Sequence, residues 1–430
     1  MTRKTPRPRS PLWRDRRFRS FWAGQTISQF GDRITDLAVP LIAVSALQAT
    51  AWQVSWLTAL VWTPNLLAIW LGTWIDQQAR QRRILVAADL LRAAALVSIP
   101  IAQLASAVTL TQLYIVVLVT GFGGVLFNTA YSAFFVHLVQ PGSYVDANSK
   151  LSATQSASSI GGPALAGILV QTFTAPVAIA GDAVSFLASA VLVRRAAPAT
   201  TPTPVRRDGE TRQRHRVRAG MTLVIRHPVL RASLFASTTI NFFTFLTGSG
   251  LIVLYANRTL GLTPAVIGLA FGIGSVGALL GALAAPAISR RLGVGPTIAL
   301  GSVLFPAPIA LMAAASGPVW LRAGVLAVAE FFSCIGVMLF DVNLNALKVA
   351  VTPDGMRARA AGAYSTVNYG IRPLGALLGG VLATAIGLRP TLLIAAAGGT
   401  LSILWILASP IPHHRRITPS TPTPAVAGIT

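Results

Sequence analysis

Gly72-Thr73-Trp74-Ile75-Asp76-Gln77-Gln78-Ala79-Arg80-Gln81-Arg82-Arg83 crowds one carboxylate and three guanidiniums into a short turn between two apolar runs. Each run is long enough to cross a bilayer, which takes roughly 20 apolar residues of helix. The turn therefore belongs at a membrane surface, and the rest of the chain is read outward from it. Composition agrees: the 430 residues are 53% hydrophobic and 11% charged, with a mean hydropathy of +0.64, too little polar surface for a soluble globule of this size. A formal charge of +23 would suggest nucleic acid in a soluble protein. Here the basic residues fall between apolar segments, so they read as topology signals and no nucleic-acid partner is expected.

The apolar runs predict an all-α integral membrane protein with spans near 21–47, 52–75, 84–106, 109–136, 150–172 and 175–193, then 230–254, 264–288, 297–315, 320–342, 360–386 and 388–408. Twelve spans place both termini on one side. Loop charge tests that count: Arg3, Lys4, Arg7, Arg9, Arg14, Arg16, Arg17 and Arg19, then Arg80, Arg82 and Arg83, Lys150, the arginines of the central loop, Arg290 and Arg291, Lys348, Arg357 and Arg359, and Arg415 and Arg416 all fall on the side of the amino terminus. Only Arg258, Arg322 and Arg389 fall opposite. One missed helix would scramble this bias, so both termini are expected in the cytoplasm of a multi-pass cell-membrane protein.

The domain organisation follows: a basic tail 1–20, a six-helix bundle 21–193, a cytoplasmic linker 194–229, a second bundle 230–408 and a Pro/Thr-rich tail 409–430 that reads as disordered. The linker runs from Pro- and Thr-rich sequence into Arg206, Arg207, Arg212, Arg214, Arg216 and Arg218 and then Met221, Leu223, Val224 and Ile225. That pattern predicts a basic amphipathic helix lying on the membrane face. The halves also resemble each other: Gly162-Pro163 and Arg372-Pro373 each stand in the fifth span of a half, and Ser289-Arg290-Arg291 occupies the place of Asp76 and its arginines. Two parallel six-helix repeats are an architecture of secondary transporters.

Several residues carry chemistry. Asp76 closes a helix whose dipole is already negative there, so its carboxylate is unfavourable by about 0.3–1 kcal/mol without partners. Arg80 and Arg83 can reach it if the helix continues for a turn, as can the amino end of the eleventh helix, and Gly72 lets a neighbouring helix approach. This cluster is expected to latch the halves on the cytoplasmic side. Arg82, and the Asp89/Arg92 pair three residues apart on one helix face, are assigned to the same gate. Deeper carboxylates are candidates for proton coupling, because an ionisable group within a span faces a cavity or a partner. Asp36, Asp32 and Glu330 are ranked in that order, with Arg33 offsetting part of the charge of the first two, and Asp182 and Asp341 follow as weaker candidates. Arg372 is either a counter-ion or a contact for an acidic substrate. Asn241, Phe242, Phe243, Phe245, Phe331, Phe332, Tyr364, Asn368 and Tyr369 are expected to supply the lining of a substrate cavity, some of them facing lipid instead. Trp52, Trp56, Trp70 and Trp74 read as interface anchors.

With these residues in hand, the chain resembles a transporter of the major facilitator superfamily from end to end. Gly72, Asp76 and Arg80 match the family's Gly-x-x-x-Asp-Arg-x-Gly-Arg-Arg signature, with Arg82 and Arg83 following and with Gln77 and Ala79 departing from it. Gly162-Pro163-Ala164-Leu165-Ala166-Gly167 is similar to the antiporter signature Gly-Pro-x-x-Gly-Gly, with Ala166 at one glycine. Phe30-Gly31-Asp32-Arg33, Ala88-Asp89-Leu90-Leu91-Arg92 and Tyr369-Gly370-Ile371-Arg372-Pro373-Leu374-Gly375 look like a bacterial drug and siderophore exporter subgroup. The resemblance implies alternating access, proton antiport and export of a small amphipathic molecule such as a drug, antibiotic or siderophore-like metabolite, by a monomer. It also implies that Gly161, Gly162, Pro163 and Gly167 bend the fifth helix against the eighth, whose Gly268, Gly272, Gly277 and Gly281 have small-residue spacing, and seal it against proton leak.

Other readings stay open. An uptake symporter of the same fold differs only in the sign of proton coupling. A receptor or membrane-embedded enzyme is a further class, but the five histidines lie outside the spans or at their edges, and the single Cys334 offers no metal cluster or disulfide. No metal, cofactor or Gly-x-x-x-x-Gly-Lys nucleotide loop is expected, which leaves a proton gradient as the driving ion.

Overall fold

The computed structural model describes residues 12–76, 78, 81–196, 219–353 and 356–414, without the side chains of Ile69, Thr73, Asp76, Ala133, Pro141 and Ala358. Twelve long helical rods run through these residues. They are α1 (16–46), α2 (51–76), α3 (Gln81–Leu104), α4 (Leu110–Leu138), α5 (Tyr144–Phe173), α6 (Ala175–Arg195), α7 (Pro228–Thr259), α8 (Pro264–Leu292), α9 (Val294–Ala314), α10 (Val319–Val351), α11 (Arg357–Ala385) and α12 (Leu388–Leu407). Eight of the described helices are long and apolar enough to cross a membrane by length and composition. The other four are α1, α5 and α11, diluted by charged and hydroxyl side chains, and α2, broken by a 3-10 turn around Pro64.

Local chemistry starts and stops these rods. Asp15 caps α1 by accepting from the Arg17 amide at 2.8 Å, and Thr50 and Gln53 form a reciprocal capping box at the start of α2. Gly293 (φ 101°) and Gly387 (φ 90°) reverse the chain before α9 and α12 in a backbone conformation that side chains resist. α1 and α7 end alike, each in a π-helical turn, Ile42–Ala46 and Tyr255–Thr259. Each turn is closed by the same pair of amide bonds: Leu47 to Ile42 and Ala49 to Ala43 in one, Leu260 to Tyr255 and Leu262 to Ala256 in the other. This internal repeat is written in hydrogen bonds and not in residue identity.

The described chain divides into two compact units, the first holding 12–196 with Ile252–Gly272, the second holding 219–251 and 273–414. In the first, α1 packs on α5 and α6, α3 on α4 and α6, and α2 on α4. Arg258 Nη2 donates to the Val44 carbonyl at 2.8 Å and to Gln48 Oε1 at 3.2 Å, tying the end of α7 to the end of α1. In the second unit, α7 packs on α11 and α12, and α9 on α10 and α12.

Two expectations are corrected. The helical stretch 219–226 buries part of its apolar side in protein: Val224 is 1% exposed and packs with Leu230, Leu234, Ala360 and Tyr364, while Ile225 stays exposed. The linker arginines Arg206 to Arg218 lie outside the described residues. The tail does not lose structure at Ser409. A 3-10 turn Ile411–His413 docks on the start of α9, with Ile411 fully buried and the His414 carbonyl accepting from the Gly295 amide at 2.9 Å.

Candidate functional site

In the first unit α1, α3 and α6 bring together the charges expected there. Asp32 pairs with Arg92 of α3, and the Arg92 guanidinium lies 3.9 Å from the centre of the Phe186 ring of α6. Arg33 Nη1 pairs with Asp36 Oδ2 at 3.2 Å, and the Asp36 side chain is 61% exposed. Asp182 of α6 is fully buried; it accepts from the Thr35 hydroxyl of α1 and, at 2.9 Å, from Ser185. Asp89 is 1% exposed, and its Oδ2 has no hydrogen-bond partner. The expected Asp89/Arg92 pair is therefore not formed. Arg92 reaches across to α1, and these residues belong to the interior cluster of the bundle.

Glycines make the room. A Cβ on Gly123 of α4 would stand 2.6 Å from Arg92 Cγ, one on Gly162 of α5 would stand 2.6 Å from Arg33 Cγ, and one on Gly31 would strike the Asp182 carboxylate. Three neighbouring backbones thus open a notch for a charged side chain.

In the second unit Arg372 of α11 is held differently. Its Nε donates to Asn241 Oδ1 of α7 at 2.8 Å, and its guanidinium lies 4.8 Å from the Phe245 ring centre and 4.5 Å from that of Tyr369. The Asn241 amide nitrogen donates to Asn368 Oδ1 at 3.1 Å and to the Ser237 carbonyl at 2.9 Å. Tyr364 donates to the Ser233 carbonyl at 3.0 Å and to Ser237 Oγ, and Lys348 Nζ sits 3.7 Å over its ring. Asn241, Phe245, Tyr364, Asn368 and Arg372 form one network. Phe242 presents its carbonyl to Gly375, with a Cβ there 2.5 Å away, and Phe243 is wedged against Gly398 in helix packing. Phe331 meets Phe332 edge to face at 5.5 Å. Glu330 of α10 packs its Cβ against Gly274, 3.0 Å from where a Cβ would stand. Among the described residues it makes no ion pair. An apolar groove of about 490 Å³ lies between α3 and α4, lined by Leu91, Ser98, Gln112, Ile115 and Val119 among others, and includes none of the expected cavity residues.

In the turn between α2 and α3, residue 78 is not helical, and residues 77, 79 and 80 lie outside the described residues. The Asp76 side chain and all of Arg80 lie outside the described residues. Arg82 Nη1 donates to the Arg194 carbonyl at the end of α6 at 3.3 Å, and Arg83 is exposed. Among the described residues, a Cβ on Gly72 would meet only Thr129 Cγ2, at 3.6 Å.

The α5 motif divides its work. Gly161 and Gly162 face Phe30 and Arg33 of α1 and not α8. The Pro163 carbonyl and Gly167 meet α8, where a Cβ on Gly167 would lie 2.5 Å from the Pro264 carbonyl. Gly272 lies beside Ile160, whereas Gly277 and Gly281 face Phe331 and Ile335 of α10. Sequence reasoning gave Asp182 too little weight and missed Thr35, Ser185 and Phe186. The signal was present: Asp182, Ser185 and Ser189 form a polar stripe at helical spacing in an otherwise apolar span, and all three are buried.

Solved structures share this fold. A bacterial homologue of the iron transporter ferroportin in an inward-facing state superposes with a TM-score of 0.73 at 18% identity, covering 93% of this chain and 99% of that one. The nucleoside transporter NupG gives 0.69 at 13% identity, covering 91% and 98%. A bacterial homologue of the human lysosomal transporter Spinster, also inward-facing, gives 0.67 at 13% identity, covering 96% and 100%. Identities this low show a shared fold alone. A comparison with curated proteins gives no match. The family model described as Major Facilitator Superfamily matches residues 21–372, and again 234–428. On that match and that fold the chain, a multi-pass membrane secondary transporter and not an enzyme, belongs to the major facilitator superfamily.

Proposed function

We propose that this transporter exports a small amphipathic molecule by proton antiport, within the drug and siderophore exporter subgroup its motifs resemble, from a cell membrane with both termini in the cytoplasm. The observation that carries the reading is the acid surplus inside the first unit: Asp32, Asp36, Asp89 and Asp182 stand against Arg33 and Arg92. Buried charge of one sign must be compensated, and a proton is the ligand that compensates a carboxylate one at a time. The contact of Pro163 and Gly167 with α8 supports the antiporter reading of that motif. In the same scheme Gly72, Asp76, Arg80, Arg82 and Arg83 remain the cytoplasmic gate, Glu330 is a coupling group of the second unit, and the Asn241–Arg372 network contacts substrate.

The test uses proteoliposomes with the membrane potential clamped by potassium and valinomycin, and ethidium and related permanently charged dyes as probes. Antiport predicts dye accumulation driven by an acidic lumen; accumulation driven by an acidic exterior would assign symport instead. A response to neither gradient removes proton coupling.

A further inference from the structure

We propose that the protons carried in the first unit reside on Asp89 and Asp182, with Asp32 and Asp36 serving as the counter-ions of Arg92 and Arg33; this assignment rests on the proton-antiport reading above. Each arginine of the cluster already has one carboxylate: Arg92 has Asp32, and Arg33 has Asp36 at 3.2 Å. Among the described residues neither Asp89 nor Asp182 makes an ion pair, yet these two are the most buried acids of the cluster, at 1% and 0% exposure.

The groups facing them come from every helix packed there. Asp89 sees Arg92 on its own helix, Asp32 on α1 and the Ser189 hydroxyl on α6. Asp182 sees Thr35 and Asp32 on α1, Ser185 on its own helix and Arg92 on α3. α4 and α5 present the backbones of Gly123 and Gly162 to the two arginines and add no charge of their own at those contacts. Three carboxylates therefore surround the one guanidinium of Arg92. A carboxylate without a cation in such a place is neutralised by taking a proton.

The hydrogen bonds accept that proton. With Asp182 neutral, its O–H donates to Thr35 Oγ1 while Ser185 continues to donate to the other oxygen, so the cradle keeps both bonds in either state. Asp89 Oδ2 and the Ser189 hydroxyl of α6 are both buried without a partner and stand beside each other, so a carboxyl O–H on Asp89 has Ser189 Oγ as its acceptor. Release follows from exchange of the shared counter-ion. When Arg92 turns from Asp32 toward Asp89 or Asp182, the O–H bond of that acid breaks, its electron pair stays on the carboxylate, and the proton passes to water at the open Asp36 side. The cluster then holds one proton fewer, and it regains its starting charge when a proton is taken up again in the return half of the cycle.

Infrared spectroscopy of the purified protein in lipid at neutral pH reads this without a substrate. Asp89→Asn and Asp182→Asn should each remove intensity from the protonated-carboxyl stretch, whereas Asp36→Asn should remove intensity only from the carboxylate band. Unchanged protonated-carboxyl intensity in both variants overturns the assignment. If either variant fails to fold, peptide mapping of wild-type protein after reaction with dicyclohexylcarbodiimide replaces it. Adducts at Asp89 or Asp182 support the proposal, and adducts confined to Asp32 or Asp36 overturn it. A pH-gradient response with unchanged intensity sinks this assignment alone; lost intensity without a gradient response sinks antiport and leaves both proton sites standing.

Discussion

The two units bury their cations by different means. In the first, two arginines are matched to carboxylates and fitted into notches left by glycine on neighbouring helices. In the second, Arg372 is wedged between an asparagine amide and two aromatic rings, and Lys348 rests on the ring of Tyr364. Dipoles and π faces do not take up protons near neutral pH; carboxylates do. In the first unit the groups that pair with the cations themselves take up protons, while in the second the direct contacts of Arg372 and Lys348 do not, and Asp341 is the carboxyl in reach of both. Ion pairs and cation–π contacts both satisfy a buried cation, but only the former take up a proton at the contact itself.

The largest test of that contrast is Arg92→Gln. Removing the cation leaves Asp32, Asp89 and Asp182 without it; the pair is part-buried, with the Asp32 side chain 37% exposed, so the cost should fall below the about 3–5 kcal/mol of breaking a fully buried pair. Unfolding in detergent should show the loss at pH 8 and show it diminished at pH 5, where protons replace the cation. The double variant with Asp32→Asn should recover part of the loss. Arg372→Gln in the second unit is smaller, about 1–2 kcal/mol for two partly desolvated ring contacts and one hydrogen bond. Its effect should vary less with pH than that of Arg92→Gln, because Asp341 is the carboxyl that acts on it, and Arg372→Lys should not restore it, because an ammonium cannot lie flat between two rings. A loss at Arg372 as pH-dependent as that at Arg92 would erase the distinction between the units.

Glycine substitutions sharpen the same comparison. Gly123→Ala and Gly162→Ala push a methyl into the alkyl stems of Arg92 and Arg33, and overpacking of this kind costs about 1–3 kcal/mol. Gly72→Ala meets only a methyl at 3.6 Å and gains helix propensity, so stability should stay within about 0.5 kcal/mol or rise. Equal losses at all three would mean that the notches are ordinary helix packing.

Much of this architecture was legible because hydropathy and loop charge are properties of whole segments. The rods follow the expected spans, the largest differences being α10, which runs on from the expected end at 342 to Val351, and α5, which starts at Tyr144 and not at 150; the gap between 193 and 230 separates two sets of six. The site was less legible because pairing is decided by which face of a helix meets which neighbour. Asp89 and Arg92 are neighbours in sequence, so sequence pairs them; α1 lies on α6, and α6 on α3, so the fold gives Arg92 to Asp32. Gly161 and Gly162 stand in a motif associated with α8, but their rotation on α5 turns them to α1, and only Gly167, further along, reaches α8. The helix at 219–226 has an amphipathic pattern that suits a lipid surface or a protein groove equally, and the protein offered the groove.

The smallest expected effect lies at the base of the second unit, outside the spans. Burial lowers the pKa of His227 below its ordinary value of 6.5, and the charge of His414 lowers it further. His227 also stands at the N-cap of Pro228–Phe245, where the helix dipole disfavours a cation. The unfolded chain therefore binds the proton more tightly than the folded one. The contribution to stability is fully present above about pH 6.5 and is lost as the pH falls below that value. Because the imidazole is only half-buried, the loss should be a fraction of that at any site above. Thermal unfolding between pH 7.5 and 5.5 should show a slightly shallower acid limb in His227→Gln, and a smaller change of the same sign in His414→Gln. A limb identical to wild type in both would assign the whole acid response to the carboxylates of the first unit, the strongest form the contrast between the two units can take.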